Sequence, residues 1–107
     1  MTTLLALDIG GTKIGWGIVE AGDTYEVTER GSIPTDAMRG GTDVAVRICE
    51  LASSLVASHP SVSGVAVASA GVVNPATGDI VSATGTMPGW GGTRLGSLLE
   101  AATGLRV

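Results

Sequence analysis

The chain has 107 residues, 44% of them hydrophobic and 15% charged, with a mean hydropathy of +0.40. That suffices for one domain, is too short for two independent cores, and is too apolar for a disordered chain. Its net charge of −4, with the Lys and Arg residues scattered singly, disfavours nucleic acid or an anionic membrane surface as a partner.

With Phe 0, Trp 2 and Tyr 1, the core has to be built from Val, Leu, Ile and Ala. The 17 glycines follow no G-X-Y period, which excludes collagen and leaves them as markers of turns and close backbone approaches. A single cysteine, Cys49, cannot form an internal disulfide and suits a reducing compartment. The first residues carry no basic region, and Asp8 interrupts their apolar run, a pattern unlike a signal peptide or a membrane span. A cytoplasmic protein is expected.

Leu4 to Leu7 is a continuous apolar run bounded by Asp8 and a double glycine, so Thr3 to Asp8 predicts a buried strand. After the turn at Ile9–Lys13, the period-two set Ile14, Trp16 and Ile18 predicts a second strand paired with the first as a hairpin. A turn at Ala21–Asp23 leads to a third strand through Tyr25, Val27 and Arg30 to Pro34, polar enough for a sheet edge, where Glu26, Glu29 and Arg30 would be solvated. Val44, Ile48, Leu51 and Leu55 form the stripe of an amphipathic helix with Thr42 as N-cap, ending before Pro60. Ser63 to Ser69 reads as a buried strand reached by a helical crossover. Asn74–Gly78 is a turn, Ile80-Val81 a short strand, and Leu95, Leu98, Leu99 and Ala102 mark a second helix capped by Gly104. Leu105 to Val107 looks like the start of a further strand. The order implies a mixed α/β layer, an antiparallel three-stranded meander extended by right-handed parallel crossovers.

The densest chemical signal is Leu7-Asp8-Ile9-Gly10-Gly11-Thr12-Lys13. An ionised carboxylate at a buried strand end needs water, a donor or a metal. Two glycines let a bulky anion reach main-chain N–H groups, Thr12 adds a hydroxyl, and Lys13 adds a charge. This suits a phosphate loop with a nearby magnesium; a type I′ hairpin turn with a solvated Asp fits the same residues equally well. Neither a Walker A loop nor a Rossmann G-x-G-x-x-G is present. Elsewhere, His59 suits a helix end, Cys49 core packing, and Trp90 packing of a glycine-rich loop.

Leu5-Ala6-Leu7-Asp8-Ile9-Gly10-Gly11-Thr12-Lys13-Ile14 resembles the first phosphate motif of the ROK (repressor, ORF, kinase) family, within the superfamily of sugar kinases, actin and heat-shock chaperones. A second block, Ala68-Ser69-Ala70-Gly71-Val72-Val73-Asn74-Pro75-Ala76-Thr77-Gly78 followed by Met87-Pro88-Gly89-Trp90, is similar to the ROK segment running from the sugar-side glycine turn to a Leu-Pro-Gly-Trp loop. The resemblance covers Leu4 to Val107 and implies a ribonuclease H-like, actin-like ATPase N-terminal lobe.

It further implies a glucokinase-like, ATP-dependent sugar kinase. Asp8 matches the Asp that holds Mg2+, usually through water. Gly10, Gly11, Thr12 and Lys13 match the turn that wraps the ATP phosphates. Gly71 matches a backbone position beside the sugar, and Thr84 falls near a sugar contact of some members. Ala70 stands where Pro is common and Thr86 where Asn is common, which bears on the identity of the sugar. The family's general base, an Asp of an Asn-Asp pair, would follow Val107, as would the zinc cluster, further sugar ligands and the adenosine pocket. Residues 1–107 are therefore expected to be a phosphate-binding lobe cut within its last strand, without the C-terminal lobe, without sugar kinase activity alone, and prone to homo-oligomerise. Either ATP or polyphosphate could be the donor. The alternatives are the sugar-binding lobe of a ROK transcriptional repressor, against which stands the shortness of the segment before the first strand, and a non-catalytic interaction module of the same fold.

Overall fold

A computed structural model describes residues 1–107 as a four-stranded mixed sheet with two helices and a small outlying hairpin. The strands are β1 (Thr2–Ile9), β2 (Lys13–Ala21), β3 (Tyr25–Pro34), β4 (Val62–Ser69), β5 (Val72–Asn74) and β6 (Asp79–Ser82); the helices are α1 (Gly41–Ser58) and α2 (Leu95–Thr103). Strand order in the main sheet is β3-β2-β1-β4, with β1 and β2 antiparallel and β1 and β4 parallel. The meander and the α1 crossover expected from the hydrophobic periods are both present.

Register explains the layering. Leu5 opposes Ile18 and Val65, Leu7 opposes Trp16 and Val67, and Ile9 opposes Ile14 and Ser69, so these side chains share one face. They pack with Val44, Ile48, Ala52 and Leu55 of α1 and with Leu95 and Leu99 of α2 in one core. The opposite face carries Ala6, Asp8, Gly15, Gly17, Ala66 and Ala68. β1 is thus one-sided rather than wholly buried, and Asp8 is exposed on the face away from the helices. The continuous apolar run concealed this because Ala6, small and half-buried, occupies the outer face.

Two local expectations need correction. The N-cap of α1 is Gly40, with φ 98°, and Thr42 lies inside the helix. A glycine is required there by the left-handed backbone, and another at Gly41 because a Cβ would overlap the Gly89 carbonyl. Val72–Asn74 forms a strand that pairs with β6 around the Asn74–Gly78 turn, outside the main sheet. Glu26, Glu29 and Arg30 are exposed on the edge strand β3, as expected, and Glu29 also bonds His59 at 2.7 Å. The C-terminal residues begin a further strand contact as expected, with one parallel bridge, Gly64 to Arg106, and the Val65 N–H donating to Arg106 O at 2.9 Å. Gly104 caps α2 in the left-handed conformation, as its position suggests.

Candidate functional site: the glycine loop at the end of β1

The β1–β2 connection is closed by the Gly10 N–H donating to Lys13 O at 3.0 Å. Neither Gly10 nor Gly11 has a positive φ, and a type I′ turn requires φ > 0 at both central positions, so the hairpin connection is not of type I′, although Asp8 is solvated as that reading expects. The two glycines differ in what they serve. A Cβ on Gly10 would lie 3.1 Å from Lys13 O, a tight approach dictated by the turn. For a Cβ on Gly11 the three nearest atoms, all of Thr86, would lie at 3.8 Å, which is ordinary contact. Folding places no demand on the missing side chain of Gly11.

The loop carbonyls are held from behind. Thr35, fully buried just after β3, donates its hydroxyl to Gly10 O at 2.6 Å and its N–H to Thr12 O at 3.0 Å. The N–H groups of Gly11 and Thr12 have no acceptor within the protein. Two amides without an acceptor on a half-buried loop are free to donate to an anion. Thr12 and Lys13 are exposed beside them. Asp8 opposes Gly15 across the β1–β2 pair, and the absence of a side chain at Gly15 leaves space above the carboxylate. No group of three His, Cys, Asp or Glu side chains gathers into a metal cage. A lone carboxylate suits a magnesium ion that keeps its waters and takes further oxygens from substrate phosphates.

The second block comes to the same end of the sheet. The Ala70 N–H donates to Ile9 O at 2.7 Å, which ties the exit of β4 to the exit of β1. Gly71 turns the chain toward β5 with φ 93°, and a Cβ there would lie 2.5 Å from Ser82 O; backbone geometry by itself requires this glycine. Thr84 and Thr86 share a hydroxyl hydrogen bond at 2.7 Å. Thr86 faces Gly11, so the loop of Thr84 adjoins the glycine loop. Trp90 is fully buried, donating its indole N–H to the Ser69 hydroxyl at 3.1 Å. That is a packing role. Cys49 packs partly buried against the core, and burial pushes its thiol pKa up, which disfavours the thiolate. His59 bonds Leu55 O through Nδ1 at 2.8 Å and Glu29 through Nε2 at 2.7 Å.

Thr35 and Arg47 were not legible as site residues. Arg47 shows in sequence only as an i, i+4 partner of Asp43, and Thr35 carries no local signal beyond following Pro34. The largest groove, about 720 Å³ between α1 and α2 and including Val46, Leu98 and Arg94, shares no residue with the loop.

Comparison with known proteins gives a consistent picture. No family model matches the chain. An uncharacterized protein of Clostridium perfringens is 33% identical over 101 residues, 94% of this chain and 33% of that protein. The ROK hexokinase of Thermus thermophilus overlays with a TM-score of 0.80 at 25% identity, covering 99% of this chain and 34% of the hexokinase. The inorganic polyphosphate/ATP-glucomannokinase of an Arthrobacter strain overlays with a TM-score of 0.72 at 29% identity, covering 100% of this chain and 43% of the kinase. A ROK transcriptional regulator homologous to the MLC protein of E. coli gives 0.76 at 22% identity, over 98% of this chain and 26% of the regulator, which shows the shared fold. This chain thus spans about a third of the length of the relatives it matches.

Proposed function

We propose that this chain, which carries the N-terminal lobe of the ROK family, supplies the phosphate side of an ATP-dependent sugar kinase of glucokinase-like type. One observation carries the reading: Gly11 lacks a side chain the fold would accept, beside two amides that have no acceptor. The amides of Gly11 and Thr12 would donate to phosphate oxygens, with the Thr12 hydroxyl and the Lys13 ammonium stabilising charge as the γ-phosphoryl group moves. Asp8 would hold Mg2+, which when bound neutralises phosphate charge. Gly71 and the Thr84–Thr86 pair adjoin this loop and would border the sugar. In this reading residues 1–107 are one lobe of a longer enzyme. The general base that takes the hydroxyl proton, the adenosine pocket and any zinc site are then supplied beyond Val107.

No helix is long and apolar enough to cross a membrane. We place the enzyme in the cytoplasm, with a small sugar and no nucleic acid as its partners. We also expect a homo-oligomer, because Val72, Val73, Val81 and Leu98 remain exposed; light scattering giving a strict monomer at high concentration refutes that. The deciding experiment incubates the full-length protein with ATP or polyphosphate, Mg2+ and a panel of hexoses, and follows sugar phosphate by coupled assay. Formation with at least one hexose is expected. Sugar binding with no donor consumption, together with binding to duplex DNA, would establish the regulator instead.

A further inference from the structure

The most unusual polar residue in the chain is Thr35, the one polar side chain that is fully buried. All three of its hydrogen-bonding groups are used. The hydroxyl donates to Gly10 O at 2.6 Å, the N–H donates to Thr12 O at 3.0 Å, and the carbonyl accepts from Nη2 of Arg47. Arg47 also donates from Nη1 to Pro34 O at 3.1 Å and from Nε to Asp43 Oδ2 at 2.8 Å. Asp43 is shared with Arg39 at 3.3 Å. A continuous polar chain therefore runs from the first turns of α1 to the back of the glycine loop.

Its consequence follows from the planarity of the peptide unit. In a trans peptide the C=O of one residue and the N–H of the next point in opposite directions. Holding Gly10 O against the buried Thr35 hydroxyl therefore aims the Gly11 N–H away from Thr35, toward the open side of the loop. Holding Thr12 O does the same for the Lys13 N–H. We infer that Thr35 is a positioning residue for phosphate binding: it sets the peptide planes of the glycine loop in advance, with Arg47 anchoring it to α1. Preset donors bind an anion without the cost of ordering them at the moment of binding. The inference rests on the phosphate-loop reading above and adds a residue outside the loop motif.

The test uses the full-length protein, with ATP and adenosine as paired ligands in titration calorimetry. Thr35→Val keeps the shape and removes the donor. It should weaken ATP by about tenfold to a hundredfold, the scale of small misplacements at a site, and leave adenosine unchanged. Thr35→Ser should restore ATP affinity. A general loss of structure would weaken both ligands together. Should the valine variant fail to fold, Arg47→Gln, at the half-buried far end of the chain, carries the same expectation of a selective loss for ATP over adenosine. A normal ATP-to-adenosine ratio in a folded Thr35→Val or Arg47→Gln protein overturns the positioning role alone. A wild-type protein that binds ATP no more tightly than adenosine overturns the phosphate-loop reading, and the positioning role falls with it.

Discussion

Gly11→Val adds an isopropyl group where the fold leaves room. The atoms nearest the new Cβ, all of Thr86, lie at 3.8 Å, and the backbone there is not left-handed. The folding cost should therefore stay within the ~0.5 kcal/mol usual for substitutions outside packed features. A phosphate oxygen has to come within hydrogen-bond distance of the amide nitrogens, about 2.9 Å, and a branched side chain on Cα fills that approach. Each hydrogen bond to a charged group contributes about 1.5–3 kcal/mol. Losing those from Gly11 and Thr12 removes about 3–6 kcal/mol, or roughly a hundredfold to ten-thousandfold in kcat/KM for ATP at ~1.4 kcal/mol per decade. The assay is steady-state phosphoryl transfer by the full-length enzyme, paired with a thermal melt to show that the fold persists. Near-normal kcat/KM in a folded Gly11→Val protein refutes the assignment of these amides to phosphate.

Asp8→Asn keeps the shape and removes the charge, so the full-length enzyme should lose on the order of a hundredfold in rate, as when a preorganised electrostatic group is removed; a normal rate with unchanged magnesium dependence would return Asp8 to a solvated turn residue. Gly41→Ala drives a Cβ into the Gly89 carbonyl and should cost about 3 kcal/mol by chemical denaturation, whereas Gly92→Ala, strained in φ but facing open space, should cost less. His59 has a carbonyl acceptor on one ring nitrogen and a carboxylate on the other, so both nitrogens must donate and its pKa is raised, chiefly by the Glu29 hydrogen bond. Because the folded value lies above the unfolded one, its stabilisation is complete below about pH 6.5 and is lost as pH rises through the folded value. Urea melts across that window should show a decline that Glu29→Gln flattens, and an unchanged slope would break the link.

Sequence periodicity made the main sheet legible because each element follows one rule. Ile14, Trp16 and Ile18 alternate as a strand must, and Val44, Ile48, Leu51 and Leu55 repeat as a helix must. It failed where tertiary contact sets the local structure. Gly40 caps α1 in place of Thr42 because Gly41 has to press against Gly89, a contact between residues far apart in sequence. The hairpin partner of Ile80-Val81 was hidden for a similar reason: Val72-Val73-Asn74 is too short and too exposed to carry a period of its own. At the site, the loop residues announced themselves through their spacing. The Thr35–Arg47 support did not, because it depends on the end of β3 arriving behind the β1–β2 turn.

Trp90 offers an optical consequence. The chain has two tryptophans, and only Trp90 is fully enclosed, its indole N–H spent on Ser69 at the end of β4. Trp16 is partly open to solvent. Emission excited at the red edge should therefore separate into a blue, quencher-shielded component from Trp90 and a redder, iodide-accessible one from Trp16. Since Ser69 leads directly into Gly71, movement of the β4 exit when a ligand settles against it would alter the shielded component first. The polypeptide thus carries a native fluorophore one hydrogen bond away from the strand that joins its two candidate subsites.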